Sequence, residues 1–498
     1  MAHPLGERIA GVLALAPDAP AIEYEDRWST WGELAEFARH IDALVAPPDG
    51  APPPQVGVLL RNRPPHVATL LGLLMAGATL VVINPSRGDE RTRADIEALD
   101  LPVLVGTPDD VAALVTPSPR TTVVTITELD EPPAVRPATA ATTDSGRPGV
   151  AVRMLTSGTT GPPKRIDLTY DMLARSVMGV DPSAANTPSA PRRGVAIVNA
   201  PLVHIGGVFR VLQCVAEARP FVLLARFELE RWAAAVRAHR PRAVSLVPAA
   251  LRMVLHSELT RDDLSSIAAV TSGTAPLSAD DADAFTRKFG IPVLTSYAAT
   301  EFGGGVAGWS LADHRVFWTT KRGSVGRATL GAQLRVVDDA SNSVGPDQPG
   351  LLEVKPGQLG PNVDWIRTTD LARIDADGFL WILGRADQAI IRGGFKVMPD
   401  DVRAALEQHP AVLGAAVVGL PDDRLGETPV AMVELRAGAS LDADELAGYL
   451  GTRLARYEIP TELAIVAHIP RTPSGKADLT AVRRHFTEAT SAAQSDHA

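Results

Sequence analysis

Short apolar runs alternate with helical patterns through the first 330 residues of the chain. Runs typical of buried strands are Val56–Leu60, Thr79–Ile83, Pro102–Val105, Thr122–Thr125 and Gly194–Val198. Apolar and amphipathic stretches such as Pro65–Ala76 and Leu229–Ala238 lie between them and predict helices. Because strands that alternate with helices form parallel sheets covered by those helices, this part predicts a large α/β domain.

The pattern changes after Gly323. The short runs Leu334–Val337, Gly350–Val354 and Phe379–Leu383 are separated by turn residues and predict a small antiparallel, barrel-like region. From residue 385 the pattern is α+β, and its predicted elements are the helix Asp400–Glu407, the strands Val412–Val418 and Pro429–Leu435, and the helix Ala443–Ala455. We therefore predict an N-terminal domain over residues 1–384 and a C-terminal domain over 385–498, with a disordered tail after Glu488.

Composition narrows the class of protein. The 498 residues are 45% hydrophobic and 21% charged, and the net charge of −10 disfavours a nucleic-acid partner bound through a basic surface. The only cysteine is Cys214, which excludes an intramolecular disulfide and fits a cytoplasmic location. Ile9–Ala16 is interpreted as an amphipathic helix rather than a signal peptide. No apolar run reaches the ~18 residues of a membrane span.

A stretch rich in glycine and hydroxyl side chains lies between two predicted strands, Val150–Leu155 and Ile166–Tyr170. Its small residues allow backbone N–H groups to surround phosphate oxygens, and its lysine supplies the opposite charge. The Gly-Lys-Ser/Thr of a Walker loop is absent. A flexible linker is the alternative, but flanking strands argue against it. The candidate phosphate-binding residues are Thr156, Ser157, Gly158, Thr159, Thr160, Gly161 and Lys164.

Two further turns follow predicted strands and carry chemistry suited to a nucleotide. In Ser296–Glu301, Tyr297 could stack on a base, Thr300 could donate to a phosphate, and Glu301 could hold Mg²⁺. Upstream lie small residues that let a planar ring approach the backbone, namely Gly273, Thr274, Ala275 and Pro276. Taken alone, either segment is equally typical of an ordinary turn at the end of a strand.

The last third of the chain adds weaker candidates. Asp370 and Arg385 could reach a ribose or a phosphate, and the glycines Gly393 and Gly394 follow closely. Near the C-terminus, a stiff loop with two prolines and a glycine presents Lys476. By themselves these residues are also typical of hairpin turns and of exposed charge. Spacings typical of zinc sites and of the Gly-x-Ser-x-Gly nucleophile are absent from the sequence.

Taken together and in this order, the segments resemble the adenylate-forming superfamily of acyl-CoA synthetases, adenylation domains and luciferases. The phosphate loop is followed by Tyr-x-x-Thr-Glu at Tyr297–Glu301, Arg-Thr-x-Asp ending at Asp370, Gly-Arg-x-Asp ending at Asp387 and Ser-Gly-Lys ending at Lys476. The resemblance covers nearly the whole chain. It implies a two-step reaction in which ATP and a carboxylic acid give an acyl-adenylate, and the thiol of coenzyme A then displaces AMP.

The resemblance also implies a role for each motif. Thr156–Lys164 would bind the pyrophosphate end of ATP, Gly273–Pro276 and Tyr297 the adenine, and Asp370 with Arg385 the ribose hydroxyls. Thr300 would contact the α-phosphate, Glu301 would bind Mg²⁺, and Lys476 would meet the charge that develops between carboxylate and α-phosphate. Asp387 would be the hinge of a mobile C-terminal domain, and His204 would line the acid pocket. Gly393 and Gly394 would line the coenzyme A tunnel after that domain moves.

The chain departs from the family pattern at several positions. Thr369 stands where a glycine is usual, Arg165 follows the loop lysine in place of glycine, and Ala298 replaces the glycine after the tyrosine. Gln388 and Ile391 replace a second acid and a lysine after the hinge, and Arg392 next to them could contact a phosphate. None of these changes removes a catalytic group, but they affect the contacts made after the domain movement.

The segment around His204 predicts the chemical class of the acid that is activated. Amino-acid-activating relatives place an aspartate shortly after this position, but Val195–Ala216 contains no Asp or Glu to pair with a substrate ammonium. His204–Val211 is small and apolar apart from Arg210, which favours a fatty or aromatic acid. The leading interpretation is an AMP-forming acyl- or aryl-CoA ligase. Transfer to the phosphopantetheine thiol of a carrier protein, and a catalytically inactive nucleotide-binding homologue, are the alternatives.

Overall fold

The computed structural model of the protein describes residues 3–46, 52–140, 146–155, 164–392, 395–422, 424–472 and 475–495. The helices are α1 (Pro4–Leu15), α2 (Trp31–Val45), α3 (Pro64–Met75), α4 (Asp89–Leu99), α5 (Pro108–Leu114), α6 (Tyr170–Met178), α7 (Ile205–Ala216), α8 (Leu229–His239), α9 (Pro248–Leu255), α10 (Ala279–Phe289), α11 (Leu311–Phe317), α12 (Pro399–Glu407), α13 (Ala443–Gly451) and α14 (Leu479–Ser495). In the described part of the chain, no helix combines the length and apolar character needed to cross a membrane.

The strands of the described residues form five sheets. The strands are β1 (Pro20–Tyr24), β2 (Arg27–Thr30), β3 (Gln55–Leu59), β4 (Thr79–Ile83), β5 (Val103–Gly106), β6 (Thr122–Thr125), β7 (Ala134–Arg136), β8 (Val150–Leu155), β9 (Arg165–Thr169), β10 (Ala196–Val198), β11 (Phe221–Leu223), β12 (Ala243–Ser245), β13 (Ala269–Ser272), β14 (Val293–Ala299), β15 (Gly304–Gly308), β16 (Arg327–Ala328), β17 (Gln333–Val337), β18 (Gly350–Lys355), β19 (Ile366–Ile374), β20 (Leu380–Arg385), β21 (Ile390–Arg392), β22 (Phe395–Val397), β23 (Val412–Asp422), β24 (Gly426–Leu435) and β25 (Glu462–Val466).

The predicted mixed architecture is confirmed. The largest sheet has the order β7-β6-β5-β3-β4-β8-β9, with parallel pairing from β6 to β8. A second sheet, β12-β13-β14-β15-β16, is parallel through β14 and antiparallel beyond it. The predicted antiparallel region is the sheet β17-β18-β19-β20. The carboxyl end of β14 and the β19–β20 pair carry the candidate site.

The small C-terminal unit is built on β21–β25. Side chains of β23 alternate between two cores: Val417 packs with Leu406 of α12, whereas Val418 packs with Phe486 of α14. Because both faces of this sheet are covered, the sequence of β23 is a nearly continuous apolar run. The backbone of α14 remains helical to Ser495, beyond the Glu488 at which the sequence suggests a disordered tail. Disorder of that tail and the exact domain boundary stay predictions.

The helix α3 lies at the centre of the main core. Every residue from Pro64 to Leu74 is buried, which is typical of a helix surrounded by other elements on all sides. Close packing against α2 depends on Gly72, since a Cβ there would lie 2.5 Å from the carbonyl oxygen of Ala38 and 3.0 Å from Cβ of Ile41. The absence of a side chain at Gly72 therefore sets the distance between these two helices.

We expect Gly72→Ala to lower the free energy of unfolding by about 1–3 kcal/mol, because the added methyl group overpacks the interface of α2 and α3. Gly11→Ala in α1 is the matched control, since a Cβ at this exposed position meets nothing within 4 Å. Higher helix propensity should raise its stability by up to about 1 kcal/mol. Urea denaturation of both variants measures the difference, and equal stability of the two would contradict the close approach at Gly72.

Candidate active site

Tyr297, Asp370 and Arg385 form a connected group where β14 meets the antiparallel sheet. The hydroxyl of Tyr297 donates to the carboxylate of Asp370 on β19, and Asp370 lies opposite Arg385 in the register of β19 and β20. The guanidinium of Arg385 contacts both carboxylate oxygens of Asp387, at 2.9 Å from Nε and 2.6 Å from Nη2. Nη2 also donates to Oγ1 of Thr369 at 2.7 Å. The unusual threonine thus helps to hold this arginine.

Burial controls the protonation of this group. Desolvation, followed by the charge of Asp370 and the hydrogen bond to it, raises the pKa of Tyr297, so the phenol stays a donor at neutral pH. Desolvation also raises the pKa of Asp370, while the Tyr297 hydrogen bond and the charge of Arg385 oppose the shift. A carboxylate that already accepts one hydrogen bond on Oδ2 still has acceptor capacity for a diol such as ribose.

The predicted adenine-binding loop lies beside Tyr297. Residues 273–276 follow β13, which pairs with β14 in parallel. A Cβ at Gly273 would lie 2.7 Å from Oγ of Ser296, the neighbour of Tyr297. Thr274 adopts a positive φ of 71°, a conformation that L residues rarely use. The close approach of Gly273 to Ser296 leaves no room for a side chain, and the small residues of this turn are compatible with a flat base.

Glu301 and Thr300 lie in a short 3₁₀ turn, Thr300–Phe302, which ends at Gly303 with φ of 71°. The carboxylate-bearing Glu301 is exposed and Thr300 is half-buried. Among the described residues no group of three or more His, Cys, Asp or Glu could hold a metal by itself. A single accessible carboxylate nevertheless fits Mg²⁺, which keeps most of its waters and binds through one or two carboxylates plus substrate phosphates.

Lys476 reaches this group from the C-terminal unit. Its loop is closed by hydrogen bonds from the N–H of Thr472 to the carbonyl oxygen of Lys476, at 2.7 Å, and from the N–H of Gly475 to that of Thr472, at 2.8 Å. Although part of its side chain is exposed, desolvation and the charge of Arg385 lower the pKa of Lys476, whereas Glu301 and Asp370 act in the opposite direction. The ammonium therefore lies within electrostatic reach of both candidate carboxylates.

His204 immediately precedes α7 and lies within electrostatic reach of Lys476. Its Nε2 is buried and has no hydrogen-bond partner among the described residues. Desolvation, with a further contribution from the charge of Lys476, lowers the pKa of His204 to about 4. A neutral ring with an unpaired nitrogen is chemically suited to contact a substrate carboxylate next to the lysine. His204 and Glu301 thus each lie within electrostatic reach of Lys476.

No pattern in the sequence indicates a role for Asn62. Its side chain nevertheless holds the segment that leads to His204 through hydrogen bonds. Its Nδ2 donates to the carbonyl oxygens of Ala200, at 3.1 Å, and Leu224, at 3.0 Å. Its Oδ1 accepts from the N–H of Leu202 at 2.8 Å. An asparagine after a predicted strand is too common to indicate such a role, and only the tertiary contacts reveal it.

A second feature that the sequence did not indicate links α9 to the C-terminal unit. Arg252 donates from Nε to Asp281 at 2.7 Å and from Nη2 to Glu407 of α12 at 3.0 Å. Glu407 also accepts from Nη1 of Arg403 at 2.8 Å. These charges lie far apart in the sequence, so no local pattern could pair them.

Part of the predicted site lies outside the described residues or away from the group around Asp370. The residues Thr156–Gly161, Gly393 and Gly394 lie outside the described residues. Lys164 is exposed at the start of β9. Its neighbour Arg165 donates to the carbonyl oxygen of Val82 at 3.0 Å and to Asp95 at 2.6 Å, which anchors this end of the loop. Arg392 donates to the carbonyl oxygens of Tyr457 and Ile459, so in this arrangement its contacts are structural ones within the C-terminal unit.

Comparison with known proteins identifies the family. The family model of the AMP-binding enzymes matches residues 11–361, and that of their C-terminal domain matches residues 401–476. A feruloyl-CoA synthase of an Amycolatopsis species is 29% identical over 95% of this chain and 97% of its own length. An indoleacetate–CoA ligase of Aromatoleum aromaticum is 29% identical over 96% of this chain and 98% of its own.

Solved structures share the fold. The o-succinylbenzoate CoA synthetase of Bacillus subtilis, in complex with its acyl-adenylate intermediate, has a TM-score of 0.76 at 24% identity and covers 98% of each chain. ATP-bound MatB from Rhodopseudomonas palustris has a TM-score of 0.78 at 24% identity, covering 96% of this chain and 98% of its own. The chain belongs to the AMP-binding enzyme family. Its predicted class of activity, an ATP-dependent, AMP-forming acid–thiol ligase that uses Mg²⁺ and coenzyme A, is confirmed.

We expect the ring of His204 to stay neutral from pH 8 down to about 5, because its pKa is lowered to about 4. Since the unfolded chain binds the proton near pH 6.5, the contribution of His204 to stability is complete above that pH and is lost as the pH falls towards 4. NMR titration of the histidine ring measures this. In the control Lys476→Gln the pKa of His204 should rise, and a His204 pKa near 6.5 in the unsubstituted protein would contradict the buried environment.

Proposed function

We propose that this enzyme activates a largely apolar carboxylic acid, aromatic or fatty, and transfers its acyl group to coenzyme A. The observation that carries the proposal is the convergence of Lys476, His204, Glu301 and Asp370 from two different parts of the chain. In the first step a carboxylate oxygen attacks the α-phosphorus of ATP, and the bond to pyrophosphate breaks. In the second step the thiol sulfur attacks the acyl carbon, AMP leaves, and the thiol proton is released.

The residues of the site provide positioning and electrostatic stabilisation rather than a covalent nucleophile. Tyr297 and the backbone at Gly273 hold the adenine, and Asp370 with Arg385 holds the ribose. Lys476 stabilises the charge that builds up between the acid and the α-phosphate, a contribution that is large where water is excluded. When bound at Glu301, Mg²⁺ would supply further neutralisation of phosphate charge. His204 contacts the acid carboxylate as a neutral ring.

The two steps require two positions of the C-terminal domain, residues 385–498. Lys476 occupies the space that the thiol needs in the second step, so the domain must move once the adenylate has formed. Asp387 lies at the boundary in the 3₁₀ turn Ala386–Gln388 and holds Arg385 through both carboxylate oxygens. We assign it as the hinge. Gly393 and Gly394 remain the predicted lining of the tunnel for coenzyme A.

A panel of fatty, aryl and amino acids tests the proposal, with pyrophosphate exchange reporting the first step and AMP release the second. Exchange with apolar acids supports it, and its absence with every acid would favour an inactive homologue. Addition of coenzyme A or of a phosphopantetheinylated carrier protein then distinguishes the two acceptors. The cytoplasm is the location that we propose, on the ground of the single, buried Cys214.

Lys476→Ala should reduce acyl-adenylate formation by at least two orders of magnitude, as for other removed electrostatic contacts, while leaving turnover of supplied acyl-adenylate with coenzyme A nearly unchanged. The reason is that the lysine contacts charge that exists only in the first step. Single-turnover assays of each half-reaction measure both rates. Arg484→Ala, which removes an exposed cation of α14, is the control for surface charge. An equal loss in both half-reactions would refute the proposed domain movement.

Glu301→Gln should raise the Mg²⁺ concentration needed for half-maximal adenylation and slow that step by roughly 100- to 1000-fold, because the neutral amide is a weaker ligand for a hard cation. Glu258→Gln, at an exposed position on the same domain, is the charge-matched control. Initial rates across a Mg²⁺ titration provide the measurement, and an unchanged Mg²⁺ dependence would remove Glu301 from the metal site.

A further inference from the structure

The helix α7 presents two different faces. Its buried stripe consists of Val208, Val211, Leu212 and Val215, which pack into the main core. The opposite stripe is half-buried and contains Gly206, Phe209, Arg210 and Gln213. Since α7 begins immediately after His204, the half-buried stripe starts close to a residue that lies within electrostatic reach of Lys476.

Open space adjoins this stripe. A Cβ at Gly206 would meet nothing within 4 Å, and a Cβ at Gly305 on β15 would meet only the carbonyl oxygen of Tyr297, at 3.9 Å. The helix α7, which carries Gly206, packs against β15, which carries Gly305. The start of β15 is fixed by Ser176, whose hydroxyl donates to the carbonyl oxygen of Gly303, and by Gln358, which donates to that of Gly305. The space is therefore bounded by ordered backbone.

Arg210 is the charged side chain of this stripe. Its guanidinium group makes fewer hydrogen bonds than it can donate. Nη1 donates to Oε1 of Gln213 at 2.7 Å, but Nε is buried and makes no hydrogen bond to any described residue. The Gln213 amide donates in turn to Glu217 at 3.4 Å, and Glu217 is engaged by Arg219 at 3.1 Å. Arg210 is thus oriented by a neutral amide and is paired with no carboxylate in the described part of the chain.

The half-buried guanidinium of Arg210 is oriented by Gln213 and paired with no carboxylate among the described residues, so an anionic partner would stabilise it. Two arginine N–H groups in a fixed fork suit a carboxylate best. Arg210 lies six positions after His204, which corresponds to roughly 9 Å along the helix axis at a rise of about 1.5 Å per residue. An acid whose reacting carboxylate lies beside His204 would place a second group near Arg210 if its apolar body spans this distance.

We propose that Arg210 selects acids that carry a second oxygen acceptor, a carboxylate above all, at the far end of an apolar body about 9 Å from the reacting carboxylate. The inference rests on the proposed function and refines it. The body of the acid contacts Phe209 and the glycine-lined space, while the distal group bonds the arginine fork. Arg210 acts as a specificity-determining residue and takes no part in the chemical steps.

Matched pairs of acids test this inference: cinnamic acid against 4-carboxycinnamic acid, and phenylacetic acid against 1,4-phenylenediacetic acid. We expect kcat/KM for adenylation to favour the diacid by about 10- to 100-fold, as for one charged hydrogen bond. Arg210→Met should abolish this preference by raising KM for the diacid, with little change for the monoacid. Arg210→Lys, which keeps the charge but loses the fork, should lie between the two.

Melting temperatures and pyrophosphate exchange with the monoacid show whether each variant is folded. An equal preference in the unsubstituted enzyme, or a diacid preference that survives in a folded and active Arg210→Met, would overturn the inference while leaving the ligase reaction intact. Failure of every acid to support exchange in the unsubstituted enzyme would instead count against the proposed function on which the inference rests.

Discussion

The site depends on holding cations close together before the negative charge of the nucleotide arrives. Desolvation and the charge of Arg385 lower the pKa of Lys476, and the charges of Glu301 and Asp370 oppose that shift. The carboxylates of Asp387 and Asp370 raise the pKa of Arg385 itself. Neutralising these cations fully would remove the attraction for a triphosphate, whereas leaving them unpaired would be costly in a partly desolvated cleft. The alternation of carboxylates and cations around the ribose and phosphate positions resolves this conflict.

Positive and negative charges are balanced in the same way at the contact between the two domains. Arg252 and Glu407 join them, but Arg252 also has Asp281 and Glu407 also has Arg403. If the domains separated, each charge would keep a partner in its own domain, Asp281 for Arg252 and Arg403 for Glu407. Breaking a buried pair by removing one partner costs several kcal/mol, whereas separation of two pairs that each remain paired avoids that penalty. This arrangement is compatible with a domain that docks and leaves once in every catalytic cycle.

The sequence predicts those features of this enzyme that depend on residues close together in the chain. The predicted bounds of β4, β6 and β8 agree with the structure, because short apolar runs between turn residues specify buried strands well. The motif residues Tyr297, Asp370 and Arg385 do converge. The features that could not be predicted depend on contacts between residues that are far apart in the sequence. Asn62 acts on a segment more than a hundred residues away, and the contact of Thr369 with Arg385 is visible only once β19 and β20 are paired.

The polarity of the acid pocket follows from two independent observations on α7. The segment around His204 lacks any carboxylate, which leaves a substrate ammonium without a partner, and it carries Arg210, which would repel one. Lys476 adds a further positive charge within electrostatic reach of His204. A pocket with a cation at each end and apolar or glycine positions between them attracts anions over neutral or cationic ligands. In the proposed binding mode, selection of the acid is therefore electrostatic at both ends, and only the space between them is selective for size and apolar character.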